Sequence, residues 1–130
     1  MAVLDSSFLI DILRNKPSAA TLLGDLEGKE SVLAVAAPSV AEMWEGALLS
    51  SIPEREKKRV EDLLLRLTVF PLDEAAAKRT AEIEASLIRQ GQQIGWIDVM
   101  VAGIALVRGE TLVSGDVHFA RIPGLRLLKY

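Results

Sequence analysis

The 130-residue chain has no cysteine and a single histidine, His118. Disulfides and thiolate metal centres are thereby excluded, and so is a zinc site built on several histidines. Any metal would have to be held mainly by oxygen. Long apolar runs are also missing: none approaches the roughly 18 residues needed to cross a bilayer. The N-terminus lacks a basic segment followed by an apolar stretch and a small-residue cleavage site. A cytoplasmic protein with no membrane partner is the expectation. Excess positive charge is absent as well, since the formal net charge is −3, which argues against nucleic-acid binding by bulk electrostatics. It leaves room for clustered carboxylates, because the cations they bind make such a site attractive to phosphate.

What is present is mainly apolar. Half of the residues are hydrophobic, and a chain of this length buries roughly two-thirds of its unfolded surface in one core. With no internal repeat, low-complexity segment or linker, residues 1–130 are expected to form a single domain. Val3 and Leu4 read as a strand ending at Asp5, with Ser6 or Ser7 as the cap of a helix over residues 8–14. Pro17 opens a second helix through Gly28. A buried strand over residues 33–37 then leads into a helix over residues 40–49, with Glu42 in its first turn. The spacing of Val60, Leu63, Leu64 and Leu67 predicts an amphipathic helix over residues 54–67. Residues 68–72 read as a strand, and Asp73 as the cap of a helix over residues 74–90. An apolar helix over residues 96–107 is closed by Gly109, and strands follow at residues 111–114 and 125–129. Alternating strands and helices predict an α/β domain with a mostly parallel sheet of four or five strands, covered by helices on both faces.

Four acids recur at equivalent places in that alternation. Asp5 ends the first strand, Glu42 and Asp98 lie near helix starts, and Asp116 follows the strand ending at Ser114. In an open α/β sheet these places converge on the crevice outside the strand carboxyl ends. Crowded carboxylates repel one another, so such a cluster is best kept together by a cation. Hard oxygen donors select Mg²⁺ or Mn²⁺, one or two ions, and that chemistry suits phosphodiester hydrolysis. Asp98 is the most informative, being a lone charge on an apolar helix. Each acid also has a plainer reading: a helix cap for Asp5 and Asp98, a dipole partner for Glu42, a turn residue for Asp116.

Four segments, Val3-Leu4-Asp5-Ser6-Ser7-Phe8-Leu9-Ile10-Asp11, Pro38-Ser39-Val40-Ala41-Glu42-Met43-Trp44-Glu45-Gly46-Ala47, Ile94-Gly95-Trp96-Ile97-Asp98 and Leu112-Val113-Ser114-Gly115-Asp116-Val117-His118-Phe119, together resemble the PIN-domain ribonucleases. The resemblance is to the short VapC-type toxins of toxin–antitoxin pairs, and it spans essentially the whole chain. It implies a PIN-like fold and a metal-dependent endoribonuclease acting on RNA, leaving a 5′-phosphate, usually as a homodimer, with a cognate antitoxin as partner. Asp5, Glu42, Asp98 and Asp116 match the acidic quartet, as catalytic and metal-holding residues. Ser114 matches a supporting hydroxyl residue that is more often Thr. His118 stands where an Asp is frequent, a departure from the pattern.

Other residues carry two readings each. Ser6 could bond a phosphate or a metal-bound water, or cap the first helix. Asp11, six residues past Asp5, is expected to face away from the site. Glu45 is one turn beyond Glu42 and could reach its rim or pair with a base. Arg55, Lys57, Lys58 and Arg59 could guide an RNA backbone, but interleaved glutamates favour a solvated helix face. Trp44 and Trp96 could stack on bases, with packing the favoured role. Two other functions compete: a PIN-like module that binds RNA or protein without cleaving, and a receiver-like or phosphatase domain. The last needs more acids around the first strand end than Asp5-Ser6-Ser7 provides.

Overall fold

The computed structural model describes residues 1–29 and 32–130. Its elements are β1 (Ala2–Leu4), α1 (Ser6–Leu13), α2 (Pro17–Lys29), β2 (Leu33–Ala36), α3 (Ala37–Leu48), α4 (Pro53–Leu64), β3 (Thr68–Phe70), α5 (Glu74–Gln90), α6 (Trp96–Arg108), β4 (Thr111–Ser114), a 3₁₀ turn (Val117–Arg121) and β5 (Leu127–Lys129). All four strand pairings are parallel, in the order β3-β2-β1-β4-β5. The chain builds outward from β1 to β3, then crosses to the other side of β1 and builds outward again. The reversal at β1 is the switch point at which open α/β sheets offer a crevice.

Side chains alternate across a strand, and the sheet sorts them into two cores accordingly. Val3, Ala34, Ala36, Phe70 and Leu112 meet α5 and α6 on one face. Ala2, Leu4, Leu33, Val35 and Val113 meet α1 to α4 on the other. The expected α/β sandwich with helices on both faces is the one observed, and its sheet is wholly parallel. Because both faces are covered, the central strands are apolar throughout, as parallel strands require. Among the described residues, no helix is long and apolar enough to cross a membrane.

Boundaries move by a few residues for local reasons. The helix expected at residues 40–49 begins at Ala37, because Pro38 in the first turn has no N–H to lose and a φ already suited to a helix. Glu42 therefore lies in the second turn of α3. The first helix starts at Ser6, so Asp5 occupies the cap position that had been expected for Ser6 or Ser7. The strand expected at residues 125–129 pairs only from Leu127, after a turn at Gly124 with φ +80°. The helix read over residues 54–67 ends at Leu64. Asp73 caps α5 as expected, its side chain accepting from the Ala76 N–H.

The α5–α6 contact depends on one missing side chain. A Cβ on Gly103 would fall on Thr80 Oγ1 and lie 3.1 Å from the Ala76 carbonyl oxygen, and Thr80 Oγ1 is itself fixed by donating to that carbonyl at 2.7 Å. Gly103→Ala is expected to destabilise the fold by about 1–3 kcal/mol, the usual cost of overpacking. Denaturant melts check this, and Thr80→Ala in the same chain should recover part of the loss.

Candidate active site

β1 delivers Asp5 to the carboxyl edge of the sheet, where its N–H donates to the Val113 carbonyl of β4 at 2.9 Å. Its carboxylate is 2% exposed. The side chain does not cap α1. Instead Oδ2 accepts from Ser7 Oγ at 2.9 Å and from Ser114 Oγ at 2.8 Å. Ser114, fully buried at the end of β4, also accepts the Asp116 N–H at 3.0 Å. One hydroxyl thus ties the two strand-end acids together. Asp116 is the cap of the 3₁₀ turn, its Oδ1 accepting the His118 N–H at 2.8 Å and lying 2.9 Å from His118 Nδ1. The turn-residue reading of Asp116 and its place in the acidic group therefore coexist.

Glu42 reaches the same edge from α3, and Ser6 Oγ donates to its Oε1 at 2.8 Å. Ser6 is therefore a support for an acid rather than a helix cap. Asp98 arrives from the other side. Gly109, at φ +66°, turns α6 into β4, so the helix runs back against that strand and its first turn meets the strand ends. Gly95, not Asp98, is the cap of α6. Asp98 sits in that first turn, where the helix dipole favours an anion by about 0.3–1 kcal/mol. Larger effects oppose it: burial, then the charges of Asp5, Asp116 and Glu42, raise its pKa from 3.8 to about 6, with His118 acting to lower it. Asp98 thus feels all three of the other acids.

These oxygens suit a hard cation. Asp5 Oδ1 is buried with no hydrogen-bond partner, because Oδ2 takes both serine hydroxyls. A buried carboxylate oxygen left this way costs about 1–3 kcal/mol or more unless something meets it. Every donor in the group is a carboxylate, matching the oxygen chemistry of Mg²⁺ and Mn²⁺. As the side chains stand, no three acids or histidines among the described residues are grouped closely enough to hold an ion at once.

Several residues find other work. Asp11 accepts from the Tyr130 hydroxyl at 2.5 Å and pairs with Lys16 at 3.5 Å. The Tyr130 bond holds Asp11 below the usual carboxylate range, and burial, then the same bond, pushes the tyrosine up. Tyr130 also packs edge-on against Phe8, with centroids 4.7 Å apart, pinning α1 to the end of β5. Arg55, Lys57, Lys58 and Arg59 pair with Glu54, Glu56 and Asp62, a solvated face as expected. Glu45 is exposed and unpaired among the described residues. Trp44 packs against the α1–α4 core, but Trp96 is 55% exposed and does not fill a core role within the chain. Ser7, which donates to Asp5, was read from the sequence only as a possible helix cap. A serine two residues after a strand-end acid is its only signal.

A model of the PIN domain matches residues 2–125. The chain belongs to the PIN-domain family. Within it, the chain is 36% identical over 126 residues to the tRNA(fMet)-specific endonuclease VapC of Shigella flexneri, covering 95% of this chain and 93% of that protein. It is 32% identical to ribonuclease VapC2 of Haemophilus influenzae over 125 residues, covering 95% and 93%. A solved structure of DNA-bound VapBC from Salmonella typhimurium superposes with a TM-score of 0.91 at 33% identity, covering 99% of this chain and 98% of that one. The VapC likeness read from the four motifs is thus found over nearly the full chain, and the acidic edge described above is the edge of a PIN fold.

The raised pKa of Asp98 has a consequence for stability. The folded chain holds that proton up to about pH 6, whereas an unfolded aspartate releases it near 3.8. Ionisation thus costs the folded state, and metal-free stability should rise as pH falls through 6 toward 4. Asp98→Asn is expected to remove that dependence and to stabilise the metal-free protein at neutral pH by about 1 kcal/mol, once solvent screening is allowed for. Urea melts in EDTA across that pH range test it.

Proposed function

We propose that the chain is a Mg²⁺- or Mn²⁺-dependent endoribonuclease that hydrolyses RNA phosphodiester bonds at the edge formed by Asp5, Glu42, Asp98 and Asp116. The observation that carries this reading is the convergence of the acids on one sheet edge, where Asp98 feels the charges of Asp5, Asp116 and Glu42 and Asp5 Oδ1 is buried with no hydrogen-bond partner. A further support is the likeness to relatives named as endonuclease or ribonuclease.

The four carboxylates would hold the metal, which when bound supplies a more acidic water and neutralises charge on the phosphate. The chain's own contribution is placement. Ser7 and Ser114 fix Oδ2 of Asp5, leaving Oδ1 as the free donor. Ser6 orients Glu42, and the His118 N–H holds Oδ1 of Asp116. Backbone at strand ends and in the opening turns of α3 and α6 brings all four to one edge, and side-chain rotation would still be needed to close three of them on an ion.

The biological reading is that of a toxin acting in the cytoplasm as a homodimer and silenced by an antitoxin. Its support is the fold likeness to chains solved as VapBC complexes. The alternative of a catalytically silent PIN-like binder is disfavoured, because a chain without metal chemistry has nothing to gain from holding four mutually repelling acids together.

Cleavage of a mixed RNA substrate with Mn²⁺ or Mg²⁺ is expected, with loss in EDTA. Asp5→Asn and Asp98→Asn should each lower the rate about 10²-fold or more, since the charge stabilisation at stake is several kcal/mol and each 1.36 kcal/mol is tenfold. Undiminished cleavage in both variants would remove the mechanism. Tight RNA binding without cleavage by the parent would favour the silent binder.

A further inference from the structure

Two hollows flank the acidic edge. One, of about 540 Å³, lies between α1, α3 and α4 and has Glu42 on its wall. The other, of about 500 Å³, lies between α1 and the ends of β4 and β5 and has Ser7 and Asp116 on its wall. Helix α1 is the ridge between them, and the side chains shared by both walls are Ile10 and Arg14. Four cations line these hollows: Arg14, Lys16, Arg55 and Arg59. Three are engaged. Lys16 pairs with Asp11, Arg55 and Arg59 pair with Glu56, and Arg59 also donates to the Leu13 carbonyl. Arg14 has neither an ion pair nor a side-chain hydrogen bond among the described residues; the Asp11 carboxylate, which feels its charge, is bonded to Tyr130 and Lys16 instead.

The backbone keeps Arg14 there. It closes α1, its N–H bonding to the Ile10 and Ile12 carbonyls, and Asn15 follows at φ 58°, a left-handed turn that asparagine tolerates better than most residues. At about 1.5 Å rise per residue, nine residues place its backbone about 13 Å from that of Asp5. Its exposed guanidinium therefore belongs to the rim of the acidic edge rather than to the acids themselves.

Resting on the nuclease reading above, we propose that Arg14 is the positioning residue for the RNA strand. It grips a phosphate neighbouring the scissile one as the strand passes over the α1 ridge from one hollow to the other. Arginine suits this role because its planar fork matches phosphate oxygens, and such a contact positions without reading sequence.

The test measures binding of a mixed single-stranded RNA oligonucleotide over a series of salt concentrations. It uses Asp98→Asn chains with and without Arg14→Ala, and cleavage kinetics in chains that retain Asp98. Losing one phosphate contact should lower the slope of log affinity against log salt by about 0.7. KM should rise several-fold while kcat changes less than twofold, and Arg14→Lys should keep most of the slope. Arg14→Gln, which keeps the aliphatic stem, serves if the alanine variant melts early. An unchanged slope and KM in a parent that does cleave would overturn the Arg14 assignment alone. A parent that neither binds nor cleaves RNA would overturn the nuclease reading and this assignment with it.

Discussion

Four carboxylates converge on the carboxyl edge of the sheet, near enough for Asp98 to feel the charges of the other three, and the surrounding hydrogen bonds are arranged around that repulsion. Burying Asp5 at 2% exposure is tolerable because Ser7 and Ser114 both donate to one of its oxygens. The same Ser114 hydroxyl then accepts the Asp116 N–H, so the two strand-end acids share one anchor. Glu42 has its own serine. Asp98 has none among the described residues, and there burial, together with the repulsion of the other three acids, surfaces as a carboxyl that keeps its proton to about pH 6. Hydroxyl donors can orient an anion, but they carry no charge.

The topology explains why acids so far apart in sequence can meet. Reversal of strand order at β1 opens the edge between β1 and β4, and a parallel sheet brings every strand's carboxyl end to that same side. Asp5 and Asp116 get there by ending strands. Asp98 gets there because α6 must run back against β4, and Glu42 because α3 leaves directly from β2. The tight contact of Gly103 with Thr80 sets how closely α6 lies on α5, and so supports the start of the helix that carries Asp98.

Much of this was legible in the sequence, and the departures have physical causes. Element types were readable because apolar spacing differs between helix and buried strand, and the acids stood out because lone charges on apolar elements are costly. Side-chain partners were harder. Ser6 looked like a helix cap, since serine just past a strand usually is one. Only the position of Glu42, one turn deeper into α3 than Pro38 had suggested, gives Ser6 a carboxylate to meet. Trp96 was expected to pack in the core or across a dimer, and at 55% exposure it does not do the first within the chain. Tyr130 and Asp11 illustrate contacts that no local pattern announces, being 119 positions apart and joined by a single hydrogen bond.

That bond bears on how cationic groups are distributed around the site. Asp11 is the carboxylate nearest in sequence to Arg14, and on an isolated α1 the two would stand one turn apart, as close as an ordinary helical ion pair. Tyr130 and Lys16 satisfy Asp11 instead, and Glu56 occupies Arg55 and Arg59 in the neighbouring hollow. Pairing cations away from the acidic edge keeps them from neutralising the carboxylates directly, which would weaken any claim of a metal on those oxygens. Leaving one guanidinium unpaired at the crest of α1 keeps a single positive charge where a polyanion would cross. The same net charge of −3 that speaks against bulk attraction of nucleic acid is therefore compatible with a local attraction made of a metal in the cleft and one arginine on its rim.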